Sequence, residues 1–351
     1  MDKNKKWFLV TITMTAGLLL ITASITIFVD PFFHYHGPRQ GLAYYFSREP
    51  YQNPGIAKNF EYDTAFLGSC MSENFNVSYF DSMNDNMTYS IKIPHQAAYE
   101  ANVAQYAKII CENNDGIKSI YWGIDIWACE VDSTEFHDPI PDYLLDGNLF
   151  TDVNYLFNKT VLEDWDARII KNTTLGAQMQ TRDKMWNWSD STEFSKEIAL
   201  QNREDVNADL LTSQDVAWNN MSDNLHDNII SVVEANPDVE FIFFYPPYSI
   251  EFWKQNSDND ILDFRLEEMK YIEENLLTYD NVKFYDFQGE ESIITDLMLY
   301  KDSVHYNSQV NDWMLESFIN GTDEITRNNM TQAAEKKEKL FIKYEDSDYN
   351  R

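Results

Sequence analysis

Two short segments, far apart in the chain, hold side chains able to form and break acyl bonds. The first is Gly68-Ser69-Cys70-Met71-Ser72, directly after the apolar run Thr64–Leu67. A nucleophile placed just beyond a strand is exposed at the carboxyl end of the sheet, beside backbone N–H groups that can stabilise an oxyanion. The second is Asp302-Ser303-Val304-His305. An Asp three residues before a His can accept from imidazole Nδ1–H, fix the tautomer and leave Nε2 facing a nucleophile as general base. Each segment alone has a plainer explanation: a tight turn of small residues, and a surface His beside an Asp. Together they point to a nucleophile, base and acid. A thiolate beside an imidazole attacks esters and thioesters, which makes Cys70 the first choice. Ser69 and Ser72 are alternatives, and so is a site with no covalent chemistry.

Such side chains need a scaffold, and short apolar runs alternating with helical patterns supply one. Strands are expected at Thr64–Leu67, Met87–Ile93, Ser119–Ile126, Val239–Tyr245 and Val282–Phe287. Helices are expected at Ala97–Cys111, Ile261–Leu277 and Asn311–Ile319. That alternation implies an α/β domain with a parallel sheet between helices. The rhythm breaks between 131 and 235, a polar stretch rich in Trp, Asn and Asp with helical patches at Ser195–Asn202 and Asp223–Glu234. It reads as a large insertion over one end of the sheet. The expected organisation is a tip at 1–6, an anchor at 7–29, an ordered juxtamembrane segment at 30–59, the α/β domain at 60–325 and a charged tail at 326–351 that frays.

The run Trp7–Val29 is uncharged and long enough, as a helix, to span a bilayer core. Lys3, Lys5 and Lys6 precede it and Asp30 follows. The positive-inside rule then puts the N-terminus in the cytoplasm and the rest outside, with a retained anchor favoured over a cleaved signal peptide. The formal net charge of −31, from 27 basic and 58 acidic side chains, excludes nucleic acid as a partner. Three cysteines exclude a disulfide framework, although one bridge, Cys111 to Cys129, is possible outside the cytoplasm.

Other residues attract weaker expectations. Trp122, Trp127, Trp186, Trp188 and Trp253 are candidates for sugar stacking, with Trp186 and Trp188 favoured because they lie in the insertion. Tyr245-Pro246-Pro247-Tyr248 ends the fourth strand and is expected to line the cleft, and His95, after the second strand, to stand near its mouth. His34 and His36 alone do not make a metal site, and neither metal nor cofactor is expected.

The order of the two motifs resembles the SGNH (GDSL-like) hydrolase superfamily, with its nucleophile in a G-D-S turn after strand one and D-x-x-H near the end. With the anchor, the D-P-F-F-H-Y stretch and G-S-C-M-S-E-N-F, the chain is most similar to the membrane-anchored branch of bacterial cell-envelope loci, close in plan to the D-alanyl transfer protein of teichoic acid modification. The resemblance spans about residues 60 to 320 and implies a three-layer sandwich. It puts Gly68 on the motif's Gly, Ser69 on its Asp, Cys70 on the nucleophilic Ser, and Asp302 and His305 on acid and base. Met71, His95, Gly123 and Asp125 fall among the substrate and oxyanion elements. The sequence departs from the family in three places. Cys70 replaces Ser. Pro94-His95-Gln96-Ala97 stands where a glycine N–H is expected. Gly123-Ile124-Asp125 stands in for G-x-N-D, and a carboxylate there repels an oxyanion unless it is protonated or paired. The resemblance implies acyl transfer or ester hydrolysis on a cell-envelope glycan or teichoic-acid-like polymer, with a multi-pass membrane acyltransferase as partner. The alternative is an inactive binding or assembly protein of the same fold.

Overall fold

The computed structural model describes residues 2–84, 88–203 and 213–345. Met87, the expected start of the second strand, lies outside them, as do 204–212 of the insertion and 346–351 of the tail. The chain divides into two compact units, Met1–Phe60 with Asp138–Thr181, and Glu61–His137 with Arg182–Arg351.

In the first unit the helix Lys3–Val29 is unbroken. With a mean hydropathy of 2.1 in its most apolar window, it is long and apolar enough to cross a membrane. It stops at Asp30, whose φ of 47° leaves the helical region. The Asp30 carboxylate accepts from the N–H groups of His34 (3.0 Å), Tyr35 (2.8 Å) and His36 (2.9 Å) and from the Tyr155 hydroxyl (2.8 Å). Those donors offset the cost of burying a carboxylate and fold the aromatic stretch after the helix into an ordered loop. The histidines are occupied structurally: His34 Nε2 lies 3.2 Å from Asp152 and His36 Nε2 lies 2.9 Å from the Ile27 carbonyl. Within the helix Glu49–Asn59, Gly55 meets the chain at Phe33 so closely that a Cβ would stand 2.6 Å from the carbonyl oxygen. Tyr155 and Trp165 pack around Phe32, with ring centroids at 5.4 and 4.9 Å. Residues 138–181, expected in the insertion over the sheet, therefore build this unit, because their aromatic and hydroxyl groups complete the loop after the apolar helix.

The second unit holds a six-stranded sheet flanked by helices, in the order β2-β1-β3-β4-β5-β6. The strands are β1 (Thr64–Gly68), β2 (Ser90–Pro94), β3 (Ser119–Gly123), β4 (Glu240–Tyr245), β5 (Val282–Asp286) and β6 (Glu324–Ile325). β1 to β5 are parallel and β6 is antiparallel to β5. β1 and β2 are buried at every position, as expected of strands covered on both faces. The helices Glu100–Asn113, Leu262–Leu276 and Ser308–Asn320 match the sequence expectations to within a few residues.

Two features differ from expectation, and the possible Cys111–Cys129 bridge is absent. β6 has only two residues, too few for a readable pattern. The tail, expected to fray, forms the helix Met330–Glu345. It docks through Phe341, stacked on Trp253 at 4.3 Å, and through the buried Lys337, whose Nζ lies 2.5 Å from Asp286 and 3.6 Å from Glu273. All three cysteines are free thiols. The helix Glu100–Asn113 carries Cys111 back toward the amino edge of the sheet, whereas Cys129 follows the carboxyl end of β3, so no bridge forms.

Candidate active site

In a sheet ordered 2-1-3-4-5 the chain leaves β1 to opposite sides, and the carboxyl ends of β1 and β3 flank the crevice where such sheets bind ligands. A cavity of about 430 Å³ opens among these loops. Cys70 and Met71 reach it from β1, Gln96 and Ala97 from β2, Asp125 from β3, and Tyr248 from β4. His305 joins them from the loop before Ser308–Asn320.

The turn that carries Cys70 is built tightly. Gly68 has a φ of +139°, and a Cβ there would come within 2.6 Å of Ser72 Oγ, so only glycine fits. Cys70 starts a single 3-10 turn to Ser72, whose hydroxyl donates to the Leu67 carbonyl at 3.0 Å. Lys92 Nζ, buried, donates to the carbonyls of Glu73 (2.6 Å) and Asp183 (3.0 Å). Asn74 Oδ1 accepts from the N–H groups of Trp188 and Ser189, each at 3.1 Å. Trp188 Nε1–H donates in turn to the Cys70 carbonyl at 3.3 Å.

The second segment is equally constrained. Asp302 Oδ1 accepts from the N–H groups of Val304 (2.9 Å) and His305 (2.7 Å), which coils the loop around its own carboxylate. Ser249 holds the loop from outside through two bonds to the Ser303 carbonyl, from N–H at 3.0 Å and from Oγ at 2.8 Å. His305 Nδ1 then lies 2.8 Å from Asp302 Oδ2, and Nε2 lies 3.1 Å from Cys70 Sγ. The Trp188 ring stands nearly perpendicular to the imidazole, with centroids 5.7 Å apart.

Burial alone would lower the imidazole pKa. The hydrogen bonds to Asp302 and Cys70 and their negative charge outweigh it and raise His305 from 6.5 to about 10. Asp302 is likewise penalised by burial, yet its bonds to His305 and to the two N–H groups hold it below the usual carboxylate range. Since the folded value of His305 exceeds the unfolded one, its stabilisation is complete below pH ~6.5 and is lost as pH rises toward ~10. Melting temperatures across that window should therefore fall with pH in the wild type, and the fall should be shallower in Asp302→Asn. Parallel curves would show that the pair does not carry the linkage.

The structure separates the candidate nucleophiles. Ser69 is buried, its Oγ accepts from Met71 N–H at 3.3 Å, and its hydroxyl bonds Asp125. Ser72 is committed to Leu67. Cys70 is the one that faces the imidazole. Gly123 sits under the Phe244 ring, where a Cβ would meet Cζ at 2.9 Å. It is a close-packing position, like Gly68. Met71 lines the cavity, while its carbonyl accepts from Asn311 Nδ2 at 3.1 Å. His95 is buried, with Nδ1 3.0 Å from the Tyr106 hydroxyl, and its neighbours Gln96, Ala97 and Tyr99 make the cavity wall in its place. Trp122 and Trp253 are core side chains, whereas Trp127 lines the cavity.

Asp125 is 3% exposed and accepts a short bond from the Tyr248 hydroxyl. Burial raises its pKa against the opposing bonds from Ser69 and Tyr248 and the nearby His305 charge. The carboxyl therefore holds a proton more readily than a solvated one. Phe252, Gln255 and Arg265, also on the cavity wall, went unnoticed in the sequence. They sit on amphipathic helices whose pattern marks them only as partly buried.

No family model matches the chain, and no curated protein matches it. Among solved structures, one provisionally described as a platelet activating factor from Streptococcus pneumonia is similar, at 9% identity over 77% of this chain and 91% of that one, with a TM-score of 0.39.

Proposed function

We propose that this chain is a membrane-anchored enzyme of SGNH-like plan that moves or removes an acyl group through a thioester on Cys70. The observation that carries the reading is the line Cys70 Sγ, His305 Nε2, His305 Nδ1, Asp302 Oδ2, with contacts of 3.1 and 2.8 Å. His305 takes the thiol proton, and Asp302 orients the ring and offsets its charge. The thiolate adds to the acyl carbonyl. The tetrahedral intermediate expels the leaving alkoxide, which His305 protonates. An acceptor hydroxyl or water then gives its proton to His305, attacks the thioester and releases the thiolate. Ala97, with a φ of 52°, holds the left-handed conformation glycine favours at the position where the resemblance implies a glycine N–H. Burial raises the Asp125 pKa, and the hydroxyls of Ser69 and Tyr248 pair with its carboxyl, which blunts the repulsion a solvated carboxylate would exert on an oxyanion.

In this reading the helix Lys3–Val29 tethers the enzyme with its N-terminus in the cytoplasm and the acidic units outside. The polymer acted on is a membrane-proximal glycan or teichoic-acid-like chain, served by a multi-pass acyltransferase. The test is to incubate the detergent-solubilised full chain with p-nitrophenyl acetate, quench in acid and map the adduct by mass spectrometry. An acetyl group on Cys70, absent from His305→Ala, is expected. Nitrophenol release at the buffer rate with no adduct would defeat the proposal.

A further inference from the structure

The cavity extends beyond the reacting pair to two polar side chains with unmet hydrogen-bonding capacity. Arg265, on the helix Leu262–Leu276, is 3% exposed. Its guanidinium faces Glu130 through Nε at 3.1 Å and Nη2 at 3.2 Å, and it lies over the Phe252 ring. Nε, although close to Glu130, completes no hydrogen bond among the described residues. Gln255, on the helix Ile250–Asp258, is 4% exposed, and its side-chain Nε2 has no partner among the described residues. Both residues line the same cavity as Cys70 and His305. Burying hydrogen-bonding groups without partners is costly, and a fold that keeps two such groups on one cavity wall has a use for them.

The electrostatic balance narrows that use. Glu130 already faces Arg265, so the cation is largely compensated. Glu268, buried beside Glu130, is held above the carboxylate range by burial and by its neighbour's charge, so the cluster carries little net charge. The wall between is apolar, from Val131, Phe252 and the ring of Trp127. A wholly aliphatic acyl chain would leave both polar groups unpaired.

We infer that the cavity selects an acyl group bearing an oxygen acceptor in its chain, received by the Arg265 guanidinium and the Gln255 side-chain N–H. The inference rests on the acyl-transfer reading and specifies its donor. Its test compares p-nitrophenyl pentanoate with p-nitrophenyl 4-oxopentanoate, esters of equal length that differ by one ketone oxygen. The wild-type full chain should favour the oxo ester by about tenfold or more in kcat/KM, after correction for the uncatalysed rates. That ratio should collapse toward one in Gln255→Leu. It should also collapse in Arg265→Met combined with Glu130→Gln, which leaves no unpaired buried carboxylate and so guards against simple misfolding. Efficient cleavage of both esters at equal corrected rates would overturn the inference while leaving the Cys70 reading intact. A preference unchanged in both variants would overturn it as well. Failure to cleave either ester, with no adduct on Cys70, would remove both.

Discussion

His305→Ala should lower kcat/KM for an activated ester by about three orders of magnitude, since in the proposed mechanism it removes both the base that activates Cys70 and the acid that protonates the leaving group. Cys70→Ala should reach the same floor, and the double variant should fall no further, because residues acting as one unit are not additive. Asp302→Asn should lie between about 10² and 10⁴ below wild type. Its effect combines a lost charge partner with a weakened acceptor for the Val304 and His305 N–H groups. Steady-state kinetics on the purified full chain, with thermal melts to confirm folding, checks all four variants. If His305→Ala kept more than about a tenth of the activity, the imidazole would not be the base.

The second large effect is on stability. Lys337→Ala should cost about 3–5 kcal/mol, because it strands Asp286 and Glu273 in the interior without their cation. Burial alone would depress Lys337, but the two carboxylates outweigh it and raise its pKa. Denaturant titration of the wild type and Lys337→Ala measures the difference. Removing all three charges (Lys337→Met, Asp286→Asn, Glu273→Gln) should recover much of the loss, since no uncompensated buried charge then remains. A loss under about 1 kcal/mol for Lys337→Ala would show that the final helix is not anchored there.

The scaffold was legible where burial leaves a continuous signal. Ala65–Leu67 and Phe241–Tyr245 are unbroken apolar runs, and both lie in strands of the sheet. The segments holding Cys70, Asp302 and His305 were legible because side chains and spacing both carry meaning, and the structure brings the three together. The final helix was not, because its docking depends on a few positions, chiefly Lys337, Leu340 and Phe341, among many charges. A lysine that pairs with Asp286 and Glu273 looks, in sequence, like any solvated lysine. The division of the insertion was hidden for a related reason. Tyr155 hydrogen-bonds Asp30 and Asn224 donates to the carbonyls of Cys129 and Val131, and nothing local marks residues so close as serving separate units. The helix continuing from Gln214–Asp223 into the π-helical stretch Asn224–Ile230 brings Asn224 and Asn228 to the loop that carries Val131 of the cavity wall. For His95, position after a strand does not reveal which way the ring turns. Tyr106 takes it inward.

The most direct test of the central claim is site-resolved alkylation of the three thiols in the full chain across a range of pH, in wild type and His305→Ala. Cys111 and Cys129 are internal references, since burial pushes Cys111 up to about 12 and Cys129 well above an ordinary thiol. A Cys70–His305 pair predicts that iodoacetamide modifies Cys70 at pH ~6, far ahead of a free thiol with its pKa of about 8.5, and that His305→Ala abolishes this advantage. If Cys70 reacts no faster than a free thiol in the wild type, or keeps its advantage without His305, the pair does not activate the sulfur and the account fails at its centre.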